Sequence, residues 1–174
     1  MKNILWICSA LLALGLPQTL LSSDKMKDSV EVEVSLSPAG SFTVTSENIS
    51  GKGIKKGDTI SAEKIEVPID SLKTGIDLRD EHLRKKLTAN KKIKSIIATQ
   101  ILAKNNKGTA KISILGHEKP ISFEYHELLD GNKKPLNQAT AEFNLSLKDF
   151  EINGISYMGL GVEDEVVLKV TISY

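Results

Sequence analysis

Three histidines are the side chains of this sequence that could most readily bind a metal or transfer a proton: His82, His117 and His126. Imidazole is the commonest metal ligand in proteins and a frequent general acid or base. No two of these histidines have a metal-ligand spacing, and Cys8 is the only cysteine. The sequence therefore predicts no metal site and no cofactor.

Asp80, Glu81 and His82 form the one dense cluster of ionisable side chains with catalytic potential. Consecutive residues of a helix point about 100° apart, so these three cannot converge on one reacting atom. The sequence also lacks a Gly-x-Ser-x-Gly nucleophile motif. We therefore predict a capped, charged surface helix here, no catalytic residues and no enzymatic activity.

The segment from Gly75 to Leu87 has helical spacing, with Ile76, Leu83 and Leu87 on one face. Asp77 is expected to cap its start. Acidic residues lie near that end and basic residues near the other, which complements the helix dipole. We predict one short helix over about residues 76–87.

The rest of the chain from Ser29 onward alternates apolar and polar residues with the period of β-strands, in about eight segments. The helix falls between the third and fourth of them. In the third, from Thr59 to Asp70, the apolar phase changes, which predicts a β-bulge near Glu63 and Lys64. Eight antiparallel strands favour a sandwich or a barrel, and the need to hide strand edges favours the barrel.

A barrel of eight strands is either filled by side chains or just wide enough for one slender ligand. The apolar phase of the strands would line that interior. The candidate lining residues are Val32, Val34, Phe42, Val67, Ile69, Ile112, Ile114, Phe123, Tyr125, Phe143, Leu145, Leu168 and Val170.

Residues 1–23 have the order of a secretory signal peptide: a positive start, an apolar run and small residues before Asp24. The alternative is a membrane anchor, although the run is shorter than the roughly 18–20 apolar residues that a span needs. We predict cleavage after Ser23, leaving residues 24–174 as a single exported domain. That domain has no cysteine, so its stability must come from its core.

Composition excludes several partners. The 174-residue chain has 23 basic and 22 acidic residues, and loss of Lys2 with the signal would leave it neutral. A neutral chain with 5% aromatic residues does not suit nucleic-acid binding. The stretch from Arg84 to Lys94 is basic without an acid, which predicts either a solvated face or contact with an anionic membrane surface.

The segment from Ser71 to Leu83, SLKTGIDLRDEHL, closely resembles the signature of the YceI-like family of bacterial lipid-binding proteins. Weaker family-like elements follow in order: Phe42 with Ile49–Gly51, Ile114–Ile121, Ala141–Phe150 and Gly161–Val166. Two features depart from the family pattern. The opening strand has no aromatic residue, and the lysine-rich stretch 85–94 replaces the family's usual "dff" element.

The resemblance implies a lipocalin-like, extended antiparallel β-barrel in the periplasm, with a long isoprenoid or other amphiphilic lipid in its interior. It marks a structural motif of six residues: Thr74, Gly75, Arg79, Asp80, Glu81 and His82. Three functions stay open on the residues: a lipid-binding or carrier protein, a filled barrel with a structural or interaction role, and a hydrolase or isomerase acting on a bound lipid. The almost wholly apolar inner phase favours binding over catalysis.

Overall fold

The computed structural model describes residues 26–88, 92–157 and 159–174. In this part of the chain lie ten β-strands, one α-helix and two 3-10 helices, at Ile69–Ser71 and Lys148–Phe150. In chain order the strands and the helix are β1 (Ser29–Ser37), β2 (Ser41–Ser46), β3 (Ile54–Lys56), β4 (Thr59–Pro68), α1 (Asp77–Leu87), β5 (Ser95–Lys104), β6 (Lys107–Ile114), β7 (His117–Leu129), β8 (Pro135–Ser146), β9 (Ser156–Tyr157) and β10 (Leu160–Ser173).

The strands form one antiparallel sheet in the order β2-β1-β10-β8-β7-β6-β5-β4-β3, and β9 pairs with β10. The sheet curls until its two ends meet. Ser50, just after β2, exchanges two backbone hydrogen bonds with Glu66 of β4, and Thr45 does the same with Lys73. These bridges close the wall of the barrel, so its concave face becomes an interior.

Alternation along the strands decides which side chains enter that interior. In β1, Val30 and Val34 are buried, whereas Glu31 and Glu33 on the opposite face are exposed. Branched valine side chains pack well on a half-buried pleated surface. The same pattern in the other strands builds an aliphatic inner wall.

The predicted fold class is confirmed: the structure is an antiparallel β-barrel with one short helix. All eight predicted strands are present, and the short β3 and β9 are additional. The helix begins one residue later than expected. Asp77 is therefore its first residue rather than its cap, and the residue before it, Ile76, makes no side-chain capping hydrogen bond.

The predicted change of phase in β4 is present, because Ile60 and Ala62 are buried before Glu63 and Ile65 and Val67 after it. The expected site of the bulge is wrong. The pairing of β4 with β5 keeps one register, and the shift lies between β5 and β6, from Thr99 to Leu102. Gln100, which lies there, has a positive φ of 53°.

Two sequence predictions fall outside the described residues. One is the signal segment, residues 1–23, and the other is the middle of the basic stretch, residues 89–91. Within the described ranges, no helix has the length and apolar character needed to cross a membrane.

Candidate functional site

The first cavity of the barrel interior lies beside α1 and has a volume of about 190 Å³. We call it the helix-end cavity. Strands from around the barrel and α1 supply most of its wall, and the segments before α1 and before β9 supply the rest. Its lining includes Val32, Val34, Phe42, Val44, Leu72, Arg79, His82, Leu83, Lys86, Leu87, Ile114, Leu145, Leu147, Ile152, Ile155, Ser156, Val162 and Val166.

The second cavity, the distal cavity, has a volume of about 130 Å³ and is lined by aliphatic and aromatic side chains only. Phe123 of β7 and Phe143 of the neighbouring strand β8 lie side by side on its wall, with ring centroids 6.4 Å apart. Gly108 allows the first ring to lie there, since a Cβ at that position would come within 2.3 Å of it. Tyr125 carries the one hydroxyl among the described lining residues.

The two cavities are consecutive parts of one interior. Five residues line both of them: Val30, Val67, Ile96, Ile112 and Leu168. The cavities therefore adjoin at this ring of aliphatic side chains, with α1 at one end of the pair and Tyr125 toward the other. The result is an elongated apolar space, the shape that suits a chain-like ligand.

The structure places all but one of the predicted lining residues on these walls. Val32, Val34, Phe42, Ile114 and Leu145 line the helix-end cavity, and Phe123, Tyr125, Phe143 and Val170 line the distal cavity. Val67, Ile112 and Leu168 line both. Ile69 lines neither. It lies in the 3-10 helix that follows β4, 1% exposed in the packed core, because the alternation of the strand ends at Pro68. Contact of any of these residues with a lipid stays a prediction.

Helix α1 contributes a stripe of five residues to the helix-end cavity: Arg79, His82, Leu83, Lys86 and Leu87. Their spacing is that of one helix face. His82 and Ser156 are exposed and Lys86 is half-buried, so the mouth of the cavity lies between α1 and the segment that leads into β9. The Lys86 ammonium donates a hydrogen bond to the Asn153 carbonyl across this mouth, at 2.7 Å.

Asp80 attaches α1 to the preceding loop. Its carboxylate is buried and accepts hydrogen bonds from the backbone N–H of Thr74, at 2.6 Å, and from the Thr74 hydroxyl, at 2.7 Å. Lys73 lies 3.8 Å away. The Thr74 hydroxyl bond, supported by the backbone bond and the nearby cations, lowers the pKa of Asp80 below its usual range, although burial opposes this. Gly75 turns the chain between them with a φ of 78°, which favours glycine.

The other members of the predicted structural motif point elsewhere. Arg79 lies over the ring of Phe42, with the guanidinium carbon 4.2 Å from the ring centroid, in cation–π geometry. His82 faces the cavity mouth, and Glu81 is exposed. The motif is therefore divided between holding the helix, through Thr74 and Asp80, and lining the cavity.

A sequence model of the YceI-like domain matches residues 22–174. The chain belongs to the YceI-like family. A search of curated protein sequences finds no match.

Solved structures share this YceI-like fold at low sequence identity. BcnA of Burkholderia cenocepacia is 16% identical, with a TM-score of 0.60 over 82% of this chain and 94% of that one. A polyisoprenoid-binding domain from Saccharophagus degradans, implicated in plant cell wall breakdown, is 12% identical, with a TM-score of 0.60 over 85% and 93%. The Campylobacter jejuni YCEI protein is 17% identical, with a TM-score of 0.56 over 75% and 82%.

A polar cluster lies at the distal end of the YceI-like barrel. The carboxylate of Glu127 accepts hydrogen bonds from the Lys55 ammonium, at 2.5 Å, and from the Tyr174 hydroxyl, at 2.6 Å. Both bonds lower the pKa of Glu127, and burial together with Glu127 raises the pKa of Tyr174. Tyr174 also packs against the small core cluster that includes Ile60 and Tyr125.

Sequence reasoning missed the basic part of the lining, Arg79, His82 and Lys86. The apolar spacing drew attention to Leu83 and Leu87. The missing signal was that Arg79 lies four residues before Leu83, and that His82 and Lys86, themselves four residues apart, directly precede the two leucines on the same face. Among the described residues, no group of three or more His, Cys, Asp or Glu side chains is placed to hold a metal ion.

Proposed function

We propose that this protein binds the apolar chain of an amphiphilic lipid, such as an isoprenoid, inside its barrel, and stores or transports it outside the cytoplasm. The single observation that carries this proposal is the pair of adjoining apolar cavities, one of which has polar side chains at its mouth. Each buried CH₂ group of such a chain contributes about 0.8 kcal/mol, so affinity requires few polar contacts. The polyisoprenoid-binding domain with the same fold supports an isoprenoid as the chain.

Binding without catalysis is part of the proposal. The described residues that line the two cavities include no carboxylate and no cysteine. His82 and Ser156 both line the mouth, but a serine nucleophile needs an imidazole that a third group orients. The lining offers a surface for a hydrocarbon chain rather than a set of converging reactive groups.

The experiment that tests this function is native mass spectrometry of the protein purified from its own host, followed by organic extraction. We expect one amphiphilic lipid per protein molecule, released by the solvent. A protein that carries no lipid and that also fails to bind geranylgeraniol in calorimetric titration would contradict the proposal.

Export is the second part of the proposal. Three contacts support a mature chain that starts near Asp24. Gln138 donates to the Met26 carbonyl at 2.5 Å and to the Asp28 carboxylate at 3.3 Å, and the Ser173 hydroxyl donates to Asp28 at 2.7 Å. The structure is therefore anchored within a few residues of the proposed cleavage site. Intact mass of the exported protein should lack Trp6, and its retention would count against cleavage.

The membrane is the proposed donor or acceptor of the lipid. Arg84, Lys85 and Lys86 lie in the last turn of α1, and Lys92 and Lys94 follow it in the chain. Near the start of the helix, Ile76 and Leu78 are 43% and 56% exposed. Cations near an anionic membrane surface contribute about 1 kcal/mol each. We expect the protein to sediment with phosphatidylglycerol vesicles and not with phosphatidylcholine vesicles. Equal recovery with both would contradict an electrostatic contact.

A further inference from the structure

The polar side chains of the helix-end cavity are collected at one place. Among its described lining residues, four are polar, and three of these, Arg79, His82 and Lys86, come from α1. The fourth, Ser156, lies across the mouth from them. The remaining lining is aliphatic apart from Phe42. An apolar cavity with a few polar groups at one end is the usual form of a site that orients an amphiphile.

The character of these three residues is basic. Helix faces that meet a barrel interior are ordinarily apolar, yet Arg79, His82 and Lys86 occupy three of the five α1 positions that line the cavity. Almost all of the surface that they present to the cavity is carbon, so their polar ends lie at its rim. The acids of the helix lie elsewhere. Asp80 is held by Thr74, and no acidic residue is among the described residues that line either cavity.

Two of these groups have no counter-ion among the residues that the structure describes. Within the described residues, neither His82 nor Lys86 forms an ion pair. Lys86 donates one hydrogen bond to the neutral carbonyl of Asn153, and an ammonium group has three N–H donors. The guanidinium of Arg79 lies over the ring of Phe42, which itself lines the cavity, so the guanidinium is held close to the cavity wall.

The surroundings strengthen the interaction of Arg79 and Lys86 with an anion, and the imidazole of His82 offers an N–H donor beside them. The cavity wall next to them is hydrocarbon, and a low-dielectric wall increases the attraction between opposite charges. Charge-assisted hydrogen bonds to carboxylate or phosphate oxygens are about twice as strong as neutral ones.

We infer that Arg79, His82 and Lys86 form a head-group site that selects amphiphiles with an anionic head, a carboxylate or a phosphate, over neutral amphiphiles with the same tail. This inference rests on the proposed function, since the tail must occupy the cavities for the head to reach α1. Lys86 is the group with the clearest role, because it is half-buried at the mouth and its change leaves the core untouched.

The test uses three probes that share one tail: geranylgeraniol, geranylgeranoic acid and geranylgeranyl phosphate. Calorimetric titration of the delipidated protein should show both anions binding about tenfold more tightly than the alcohol. Lys86→Gln keeps a donor for Asn153 but removes the charge, and it should reduce this preference, the ratio of anion affinity to alcohol affinity, roughly fivefold. A preference for only one of the anions would identify the head as carboxylate or phosphate.

Lys85→Gln is the matched control, because Lys85 is the neighbouring residue of α1, carries the same charge and does not line the cavity. It should leave the preference for anions within about twofold, and it should weaken attachment to phosphatidylglycerol vesicles instead. His82→Gln provides a second variant of the site at an exposed position.

Three outcomes would overturn the inference. Equal binding of the alcohol and both anions would reject the head-group site and leave the proposed function standing. Equal loss of preference in Lys85→Gln and Lys86→Gln would assign it to the general charge of the helix. Failure of all three probes to bind would reject both the head-group site and the proposed function.

Discussion

The helix-end cavity and the distal cavity share the same kind of wall and differ at their ends. Both are lined by alternating side chains of one sheet, and five residues line both. The helix-end cavity opens beside α1 among Arg79, His82 and Lys86, whereas the distal cavity ends at Tyr125 and the polar cluster around Glu127. The barrel thus provides a uniform apolar wall, and the elements at its two ends determine the polarity of the site.

The two ends of the barrel are also held in place by different contacts. At the mouth, one helix is attached to the barrel by the buried Asp80 and its bonds to Thr74. At the distal end, Lys55 and Tyr174 meet Glu127 from β3 and the end of the chain. The first arrangement depends on one carboxylate, and the second spreads over several strands. We therefore expect the mouth to be the more sensitive to single substitutions.

The largest expected effect is on the attachment of α1. Asp80→Ala removes the acceptor of two hydrogen bonds and leaves the Thr74 N–H buried without it, so the free energy of unfolding should fall by about 2–4 kcal/mol. Urea denaturation measures this loss. Glu81→Ala, at an exposed position of the same helix, should change stability by less than about 0.5 kcal/mol. Equal losses would remove the special role of Asp80.

Acid offers a check on the same contact. The folded-state pKa of Asp80 lies below its ordinary value, so its ionised form stabilises the fold above the unfolded-state pKa, about 3.9. That contribution is lost as the pH falls below this value. The stability difference between the wild type and Asp80→Ala should be constant near neutral pH and shrink below about pH 4. A difference that grew on acidification would contradict the assigned direction.

Substitutions that fill one cavity at a time should change the affinities for short and long ligands differently. Ile114→Trp fills the helix-end cavity and should weaken short geraniol and long geranylgeraniol alike. Ala141→Phe fills the distal cavity and should weaken only the longer chain, by about 2 kcal/mol if roughly three CH₂ groups lose their burial. Calorimetric titration gives both affinities.

Denaturant melts of the same variants show whether the space is open. An open cavity accepts the larger side chain at little cost, whereas overpacking of a filled core costs about 1–3 kcal/mol. A large loss of stability in Ile114→Trp, in a protein that carries no lipid, would favour the filled barrel.

The smallest expected effect is at the distal end. Tyr174→Phe removes one hydrogen bond to Glu127 and leaves the bond from Lys55, so stability should fall by about 1 kcal/mol. The preference for anionic probes should not change, because this hydroxyl lies away from α1. A change in that preference, measured by the same titrations, would show that the two ends are coupled.

The sequence predicted the strands and their inner phase well, because a period of two leaves only two choices of face for each strand. It failed where that rule stops. Ile69 follows the last residue of β4, so alternation no longer determines the direction of its side chain. The register shift lies between β5 and β6 rather than in β4 near Glu63, and the alternation within β4 does not show which strand pair carries it.

The mouth was the least predictable part of the site. Apolar spacing grouped Ile76 with Leu83 and Leu87 on one helix face, yet Ile76 precedes α1 and is 43% exposed. The inward face is instead shared by Leu83, Leu87 and three basic residues, a mixture without a clear periodic signal. Which residues line the cavity depends on how the helix packs against the barrel. The hydrogen bond between Asp80 and Thr74 holds the helix in that orientation, and helical periodicity alone does not reveal this contact.

The position of the chain ends has a practical consequence. Met26 is held by Gln138, and Tyr174 packs beside the distal cavity, so both ends of the described chain lie at the end of the barrel away from α1. A label or linker attached at either terminus therefore points away from the mouth. A molecule tethered to a surface through its N-terminus would present the entrance outward, free to meet a second surface.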